Sequence, residues 1–273
     1  MARDLSTKRG TNNMRLKWYG TATILLEKNG TKILFDPFLP LSDKVYQPPL
    51  GELSEVDGIF VTHGHFDHMA AIPAILDQND GSAKVHCTAK PRVILLSKGI
   101  DEANTRLISP GDINSVGPFE VRVLRAKHIA FNMGLIIRTL FSPRIFTNWS
   151  NFANVIKAKE NRERGTETVA YDIRCQTKRI LLLGSLNLDP DVDYPKGADL
   201  LILPLQGRSD ICSYAIPFID RLQPKGILID HFDDTFPPFT SSVNPEHFTS
   251  LMRKSHPDIT VLCVPASDNW IEI

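Results

Sequence analysis

Gly58-Ile59-Phe60-Val61-Thr62-His63-Gly64-His65-Phe66-Asp67-His68 is the stretch on which the fold turns. An apolar run, Gly58 to Thr62, leads straight into three imidazoles and a carboxylate packed within six residues. A short continuous apolar run reads as a buried strand. Behind the motif, Met69-Ala70-Ala71-Ile72-Pro73-Ala74-Ile75-Leu76 reads as a helix. A strand that ends in a tight turn aims alternate side chains into one pocket, and neutral imidazole and carboxylate are ligands that zinc accepts. Three of the chain's eight histidines crowd here, which a polar turn does not require. His63 and His65 are two apart, so on an extended segment they face the same side and hold one ion together. Asp67 and His68 follow where the chain turns into the helix, and they face a neighbouring point. The spacing therefore implies a pair of adjacent metal positions. In such sites the ions lie about 3.5–4 Å apart, activate a water and clamp the oxygens of a displacement.

Upstream, Arg15–Tyr19 and Ala22–Glu27 read as strands, and Asn29-Gly30 supplies a hairpin turn into Thr31–Asp36. An irregular Pro-rich loop, Pro37 to Pro49, follows. Downstream come a strand at Lys84–Cys87, a helix from Pro91 to Lys98, and a strand at Phe119–Ala126 with His128 at its end. Thr168–Cys175 and Arg179–Gly184 read as a hairpin about Gln176-Thr177-Lys178. The last third alternates: strand Ala198–Leu203, helix Asp210–Leu222, strand Gly226–Asp230, helix Pro245–Lys254, then strands at Ile259–Val264 and Trp270–Ile273. Mixed strands with helices between them imply sheets covered by helices on their outer faces. No internal repeat or low-complexity linker divides the chain, so a single domain over 14–273, behind a disordered polar tail at 1–13, is expected.

Composition sets limits on function. The 273 residues are 42% apolar and 23% charged, with zero formal net charge, values of an ordinary globular chain. No basic stretch interleaved with aromatics asks for nucleic acid. Residues 1–13 lack an apolar h-region, and no apolar run approaches membrane-spanning length. Cys87, Cys175, Cys212 and Cys263 form no CxxC pair and lie in apolar segments, so they read as reduced, buried thiols of a cytoplasmic protein. A small-molecule substrate and a homo-oligomeric state complete this expectation.

Residues 129–165 break the strand pattern. Ser142-Pro143 is a helix start, and Ile145, Trp149, Phe152 and Ile156 then share one helical face. Lys157, Lys159, Arg162 and Arg164 load the far end, and Gly165 stops it. This insert reads either as a lid or wall over the metal pocket, with Trp149 against an apolar part of a substrate, or as a helix packed on the core. His128 and His231 stand at two further strand ends and join the candidate ligands; His86, His247 and His256 are left out.

His63-x-His65-x-Asp67-His68 with His128 and His231, behind an opening Trp18-Tyr19-Gly20 … Ile33-Leu34-Phe35-Asp36-Pro37, resembles the metallo-β-lactamase superfamily. Within it, the chain resembles the branch of the ascorbate-6-phosphate lactonase and the phospholipase-D-like hydrolases of N-acylethanolamine phospholipids. The resemblance runs from about residue 14 to the C-terminus, outside the insert. It implies an α+β fold, an αββα sandwich of two mixed sheets with the metals at one edge. By matching motifs, His63, His65 and His128 hold a first metal, and Asp67, His68 and His231 a second. Asp36 matches a supporting acidic position that orients a ligand. One departure stands out: the family usually carries a metal-bridging aspartate after the glycine of Leu181-Leu182-Leu183-Gly184, and here the residue is Ser185. A neutral hydroxyl supplies no charge, so a firmly held first ion and a looser second one are expected.

The chemistry implied is a metal-dependent hydrolase whose metal-bound hydroxide cleaves an ester, lactone or phosphodiester. One or two zinc ions are expected, with manganese or iron as alternatives. Asp67 orients the nucleophile, and Asp233 or Asp234 either protonates the leaving group or is a solvated turn acid. Arg208, just past a strand end, either grips an anionic group by its fork or makes a surface ion pair. Two rivals remain: an iron redox protein with the same ligands, and a metal-stabilised binding protein without turnover.

Overall fold

The computed structural model describes residues 13–130, 142–151 and 167–273. The expected tail, apart from Asn13, and most of the 129–165 insert therefore lie outside the described residues, Phe152 and Ile156 among them.

The first half of the chain supplies β1 (Arg15–Trp18), β2 (Ile24–Lys28), β3 (Thr31–Phe35), β4 (Gly58–Phe60), β5 (Lys84–Cys87) and β6 (Thr105–Leu107). The second supplies β7 (Ile113–Val116), β8 (Phe119–Ala126), β9 (Thr168–Cys175), β10 (Lys178–Leu183), β11 (Leu200–Pro204), β12 (Gly226–Asp230) and β13 (Thr260–Leu262), before β14 (Ile271–Glu272) returns to the first sheet. Two seven-stranded sheets result, ordered β14-β1-β2-β3-β4-β5-β6 and β13-β12-β11-β10-β9-β8-β7. Each is antiparallel through the hairpins at one side and parallel through the crossovers at the other.

Side-chain alternation makes the layers. Leu16, Ile24, Leu26, Ile33, Phe35 and Phe60 of the first sheet meet Val121, Val123, Tyr171, Ile173, Leu182, Ile202 and Leu228 of the second in a core between the sheets. The opposite faces are apolar too, because helices cover them. Leu25, Leu34, Ile59 and Val85 pack under α1 (Leu50–Ser54), α2 (Phe66–Met69), α3 (Ile72–Gln78) and α4 (Ala89–Ser97). Leu181, Leu183, Leu201, Leu203, Ile227 and Ile229 pack under α6 (Ile211–Tyr214), α7 (Ile216–Leu222) and α8 (Pro245–Ser255); α5 (Arg144–Thr147) lies in the insert. Strands buried on both faces are near-continuously apolar. The architecture is the αββα sandwich expected from the sequence.

Several details differ from expectation for physical reasons. The helix behind the motif breaks between Met69 and Ile72, and α3 restarts with Pro73 in its first turn, where proline's missing N–H costs nothing. The helix expected over 210–222 splits at Ala215, just ahead of Pro217. The β6 and β7 strands, at sheet edges and largely exposed, carry no alternation a sequence pattern reveals. Cys263 is exposed, unlike the other three cysteines, because it leaves the edge strand β13. The Asn29-Gly30 turn forms as read, both residues at positive φ between the paired Lys28 and Thr31. Lys178 belongs to β10, so the other hairpin turns on Gln176-Thr177 alone.

Candidate metal centre

The strand ends on one edge of the sandwich carry the chemistry. Beyond β4 the chain runs Val61-Thr62-His63, beyond β3 it meets Asp36, beyond β8 His128, beyond β10 Gly184-Ser185, and beyond β12 His231. The ligand atoms of His63, His65 and His128 all lie within 4.8 Å of one another, and so do those of Asp67, His68 and His231.

Asp36 organises this edge from below. It is fully buried and accepts from Thr62 N–H at 2.7 Å, Thr62 Oγ1 at 2.6 Å and His68 Nδ1 at 2.8 Å. With its proton given to Asp36, Thr62 Oγ1 accepts from His63 Nδ1 at 3.0 Å. His128 Nδ1 donates to the carbonyl of Ile129 at 2.9 Å. Each of these bonds fixes a tautomer in which Nε2 keeps its lone pair. The two sheets meet closely here. Tyr171 Oη donates to the Val61 carbonyl at 2.6 Å, Val169 N–H to that of Thr62 at 3.0 Å, and Gly184 lies against the Thr62 side chain.

The residues fit a divalent cation. His63 Nε2 stands 3.1 Å from His65 Nδ1, and Asp67 Oδ2 stands 3.0 Å from His231 Nε2 and 3.6 Å from His68 Nε2. Ligands about 2.0–2.1 Å from a tetrahedral ion are about 3.3 Å apart, and the separations bracket that value. Burial, with the neighbouring imidazoles, pushes His63 well below the ordinary imidazole range. Burial brings His65 down to about 4 and lowers His128 as well. Neutral rings are the form a metal takes. The surrounding imidazoles hold the Asp67 carboxyl below the usual carboxylate range against its burial. His231 is buried too, yet its bond to Asp67 raises it. Burial pushes Asp230 well above the carboxylate range.

Backbone strain gathers at the same place. Thr21, Asp36 and His231 adopt left-handed φ of 49°, 46° and 55°, and non-glycine residues held there cluster at functional sites. Thr21 ties two loops together: its carbonyl accepts from His231 N–H at 2.9 Å, and its N–H donates to both oxygens of Asp233 at 3.1 and 3.0 Å. Gly20 is required beside it, since a Cβ there would meet Asp233 Oδ2 at 2.8 Å, at φ +104°.

The remaining sequence candidates are placed as follows. Ser185 is buried, and its Oγ accepts from Ile129 N–H at 2.9 Å. Asp189 pairs with Arg125 at 3.0 Å, and Asn187 holds the His128 carbonyl at 3.2 Å. Asp234 accepts from Arg144 and from Thr240 Oγ1. Arg208 spends its fork on Asp210, at 2.7 and 2.9 Å, and lies over Tyr214. Trp149, in the described part of the insert, is 60% exposed. Of the expected insert helix, Arg144–Thr147 and residues 149–151 are helical within the described segment. His86 stacks on Phe60 in the core, and His256 pairs with Asp220, both away from the trios. Sequence reasoning did not single out Thr21, Thr62 or Asp230. Thr62 was visible as a hydroxyl closing an apolar run directly before a ligand; Thr21 carried no signal.

Residues 15–230 match the family described as "Beta-lactamase superfamily domain". The chain belongs to that superfamily, in its metallo-β-lactamase fold. Among curated relatives, a UPF0173 protein of Pyrococcus furiosus is 31% identical over 88% of this chain and 91% of its own length. A UPF0173 metal-dependent hydrolase of Alkaliphilus metalliredigens is 23% identical over 89% and 94%. A metallo hydrolase from the archaeon Ignicoccus hospitalis superposes with a TM-score of 0.66, at 16% identity, covering 96% of this chain and 99% of that one.

Proposed function

We propose that the chain is a metal-dependent hydrolase that cleaves an ester, lactone or phosphodiester bond of a small molecule at a two-ion centre. The observation that carries this is the convergence of two ligand trios at one edge of the sandwich. The hydrolase names of relatives support it. Zinc, when bound in such a set, lowers the pKa of its water to about 7 and polarises the bond to be cleaved. His63, His65 and His128 hold the first ion, and Asp67, His68 and His231 the second.

The chain's own groups do the rest. Asp67, charged at neutral pH, would hold the second ion and, by accepting a hydrogen bond from the attacking water, fix its direction. Asp36 and Thr62 hold His68 and His63 in their tautomers. Asp234 anchors Arg144, and so keeps the start of the insert beside the site. Arg208 takes an anionic substrate group only by exchanging it for Asp210. Phe66, inside the motif, packs edge-on against Phe38 beside Phe236 and Phe239. This aromatic cluster, with Trp149, supports a substrate that carries an apolar part. The reading places the protein in the cytoplasm. Among the described residues no helix is long and apolar enough to cross a membrane.

The test is hydrolysis of a p-nitrophenyl ester, an aryl phosphodiester and an aliphatic lactone by zinc-loaded protein. Turnover of one class, abolished by chelator and restored by zinc or manganese, is expected. Two bound ions with none of the three substrates turned over contradicts the assignment.

A further inference from the structure

His128 enters the first trio from the other sheet. His63 and His65 share the loop after β4, whereas His128 comes from beyond the end of β8. Its ring centroid stands 5.1 Å from that of His63 and 4.6 Å from that of His65. Because β8 has ended at Ala126, the ladder of the strand does not reach the backbone that carries this ring.

The loop after β10 grips that backbone instead. The peptide unit between His128 and Ile129 is held at both ends. Its N–H donates to Ser185 Oγ at 2.9 Å, and its carbonyl accepts from Asn187 Nδ2 at 3.2 Å. A trans peptide is planar, with N–H and C=O pointing opposite ways, so two such bonds fix its orientation. The ring completes the arrangement, since His128 Nδ1 donates to the next carbonyl, that of Ile129, at 2.9 Å. The gripping loop is itself tied down. Asn187 N–H donates to the Ser185 carbonyl at 2.9 Å, Lys127 N–H donates to the Asn187 carbonyl at 3.3 Å, and Leu188 forms an antiparallel bridge with Ala126.

We propose that Ser185 and Asn187 are positioning residues for the first ion: they orient the His128–Ile129 peptide, and through it the imidazole that completes the trio with His63 and His65. This rests on the two-ion reading above. Ser185, whose lack of charge bears on the second position, thus acts on the first through its hydroxyl. Loss of that hydroxyl is felt at the first ion and not at the second.

The experiment is zinc titration against a competing chelator, in His231→Ala and His63→Ala backgrounds that each leave one trio whole. Ser185→Ala and Asn187→Leu delete the two grips, and Ser185→Thr keeps the hydroxyl. With the first trio whole, each deletion should weaken binding about 10-fold, and threonine should stay within about threefold of serine. With the second trio whole, all three variants should bind within about twofold of their parent. A further readout needs no metal: exchange of the Ile129 amide in metal-free protein should quicken about 10-fold in Ser185→Ala. First-trio constants within about twofold of the parent in both deletions overturn the proposal. An equal fall at both trios overturns it too, because it marks a general loss of structure, and so does an unchanged Ile129 exchange rate. If the His231→Ala protein binds no zinc, the first trio and this proposal fall together. If both trios bind and respond as expected but no ester, lactone or phosphodiester is cleaved, the hydrolase reading alone falls.

Discussion

Gly184→Ala is the substitution that most directly probes how the two sheets meet under the site. A Cβ at Gly184 would lie 2.1 Å from Thr62 Oγ1, 2.2 Å from its Cβ and 2.6 Å from its Cγ2. Ordinary contacts between such atoms are about 3.5–4.0 Å, so one partner must retreat by more than an ångström. Thr62 is poorly able to do so. Its N–H and Oγ1 are held by Asp36 and its carbonyl by Val169 N–H. Overpacking costs about 1–3 kcal/mol, and loosening one hydrogen bond to a buried carboxylate adds about 1.5–3 kcal/mol. The variant should lose about 2.5–6 kcal/mol, a large part of a total that is typically about 5–15 kcal/mol. Urea unfolding of the metal-free protein measures it. The double variants sharpen the test. Thr62→Ala should relieve Gly184→Ala poorly, because the Thr62 Cβ itself is in the way, whereas Thr62→Gly should couple favourably with it. A loss under about 1 kcal/mol, or rescue by alanine as complete as by glycine, refutes the reasoning.

Asp36→Ala removes three buried hydrogen bonds at once. It should cost about 3–5 kcal/mol in urea unfolding and weaken zinc binding at the second trio about 10- to 100-fold in a chelator competition. Acid should empty the two positions in order. His231 is raised by its bond to Asp67, so an incoming ion must displace a proton there at a higher pH than at His65, which takes up its proton only at about 4. Zinc stoichiometry followed by dialysis from pH 8 to pH 4 should therefore fall from two to one before it reaches zero, and simultaneous loss contradicts this order. Tyr171→Phe deletes the buried bond from its hydroxyl to the Val61 carbonyl and leaves that carbonyl unpaired. A loss of about 1–3 kcal/mol is expected in the same unfolding assay, and no loss would mean that this strand end is held by packing alone.

The layers were legible because burial writes itself into the pattern. Gly226-Ile227-Leu228-Ile229 reads as apolar throughout, and the structure covers both faces of that strand. The ligand motif was legible because four of the six ligand positions fall within six residues at one turn. His128 and His231 needed the additional fact that strand ends on one edge converge, which the fold supplies and no spacing does. Three things stayed hidden. The left-handed turn at Thr21 runs against the preference of a β-branched residue, so no propensity marks it. The partners of Asp234 and Arg208, namely Arg144 and Asp210, depend on how loops meet, so the sequence left both roles of each residue open. Asp230 looked like the polar end of a strand, and only its burial, with Oδ1 left unbonded, sets it apart.

The central claim is that two ligand trios at this edge each hold an ion. Elemental analysis of metal per chain, on protein purified without added metal and again after zinc loading and dialysis at pH 8, tests it most directly. The account predicts close to two equivalents after loading, falling to about one when His231 is replaced by alanine and also when His63 is. Binding below half an equivalent in the loaded wild type, or two equivalents retained in both alanine variants, would contradict it.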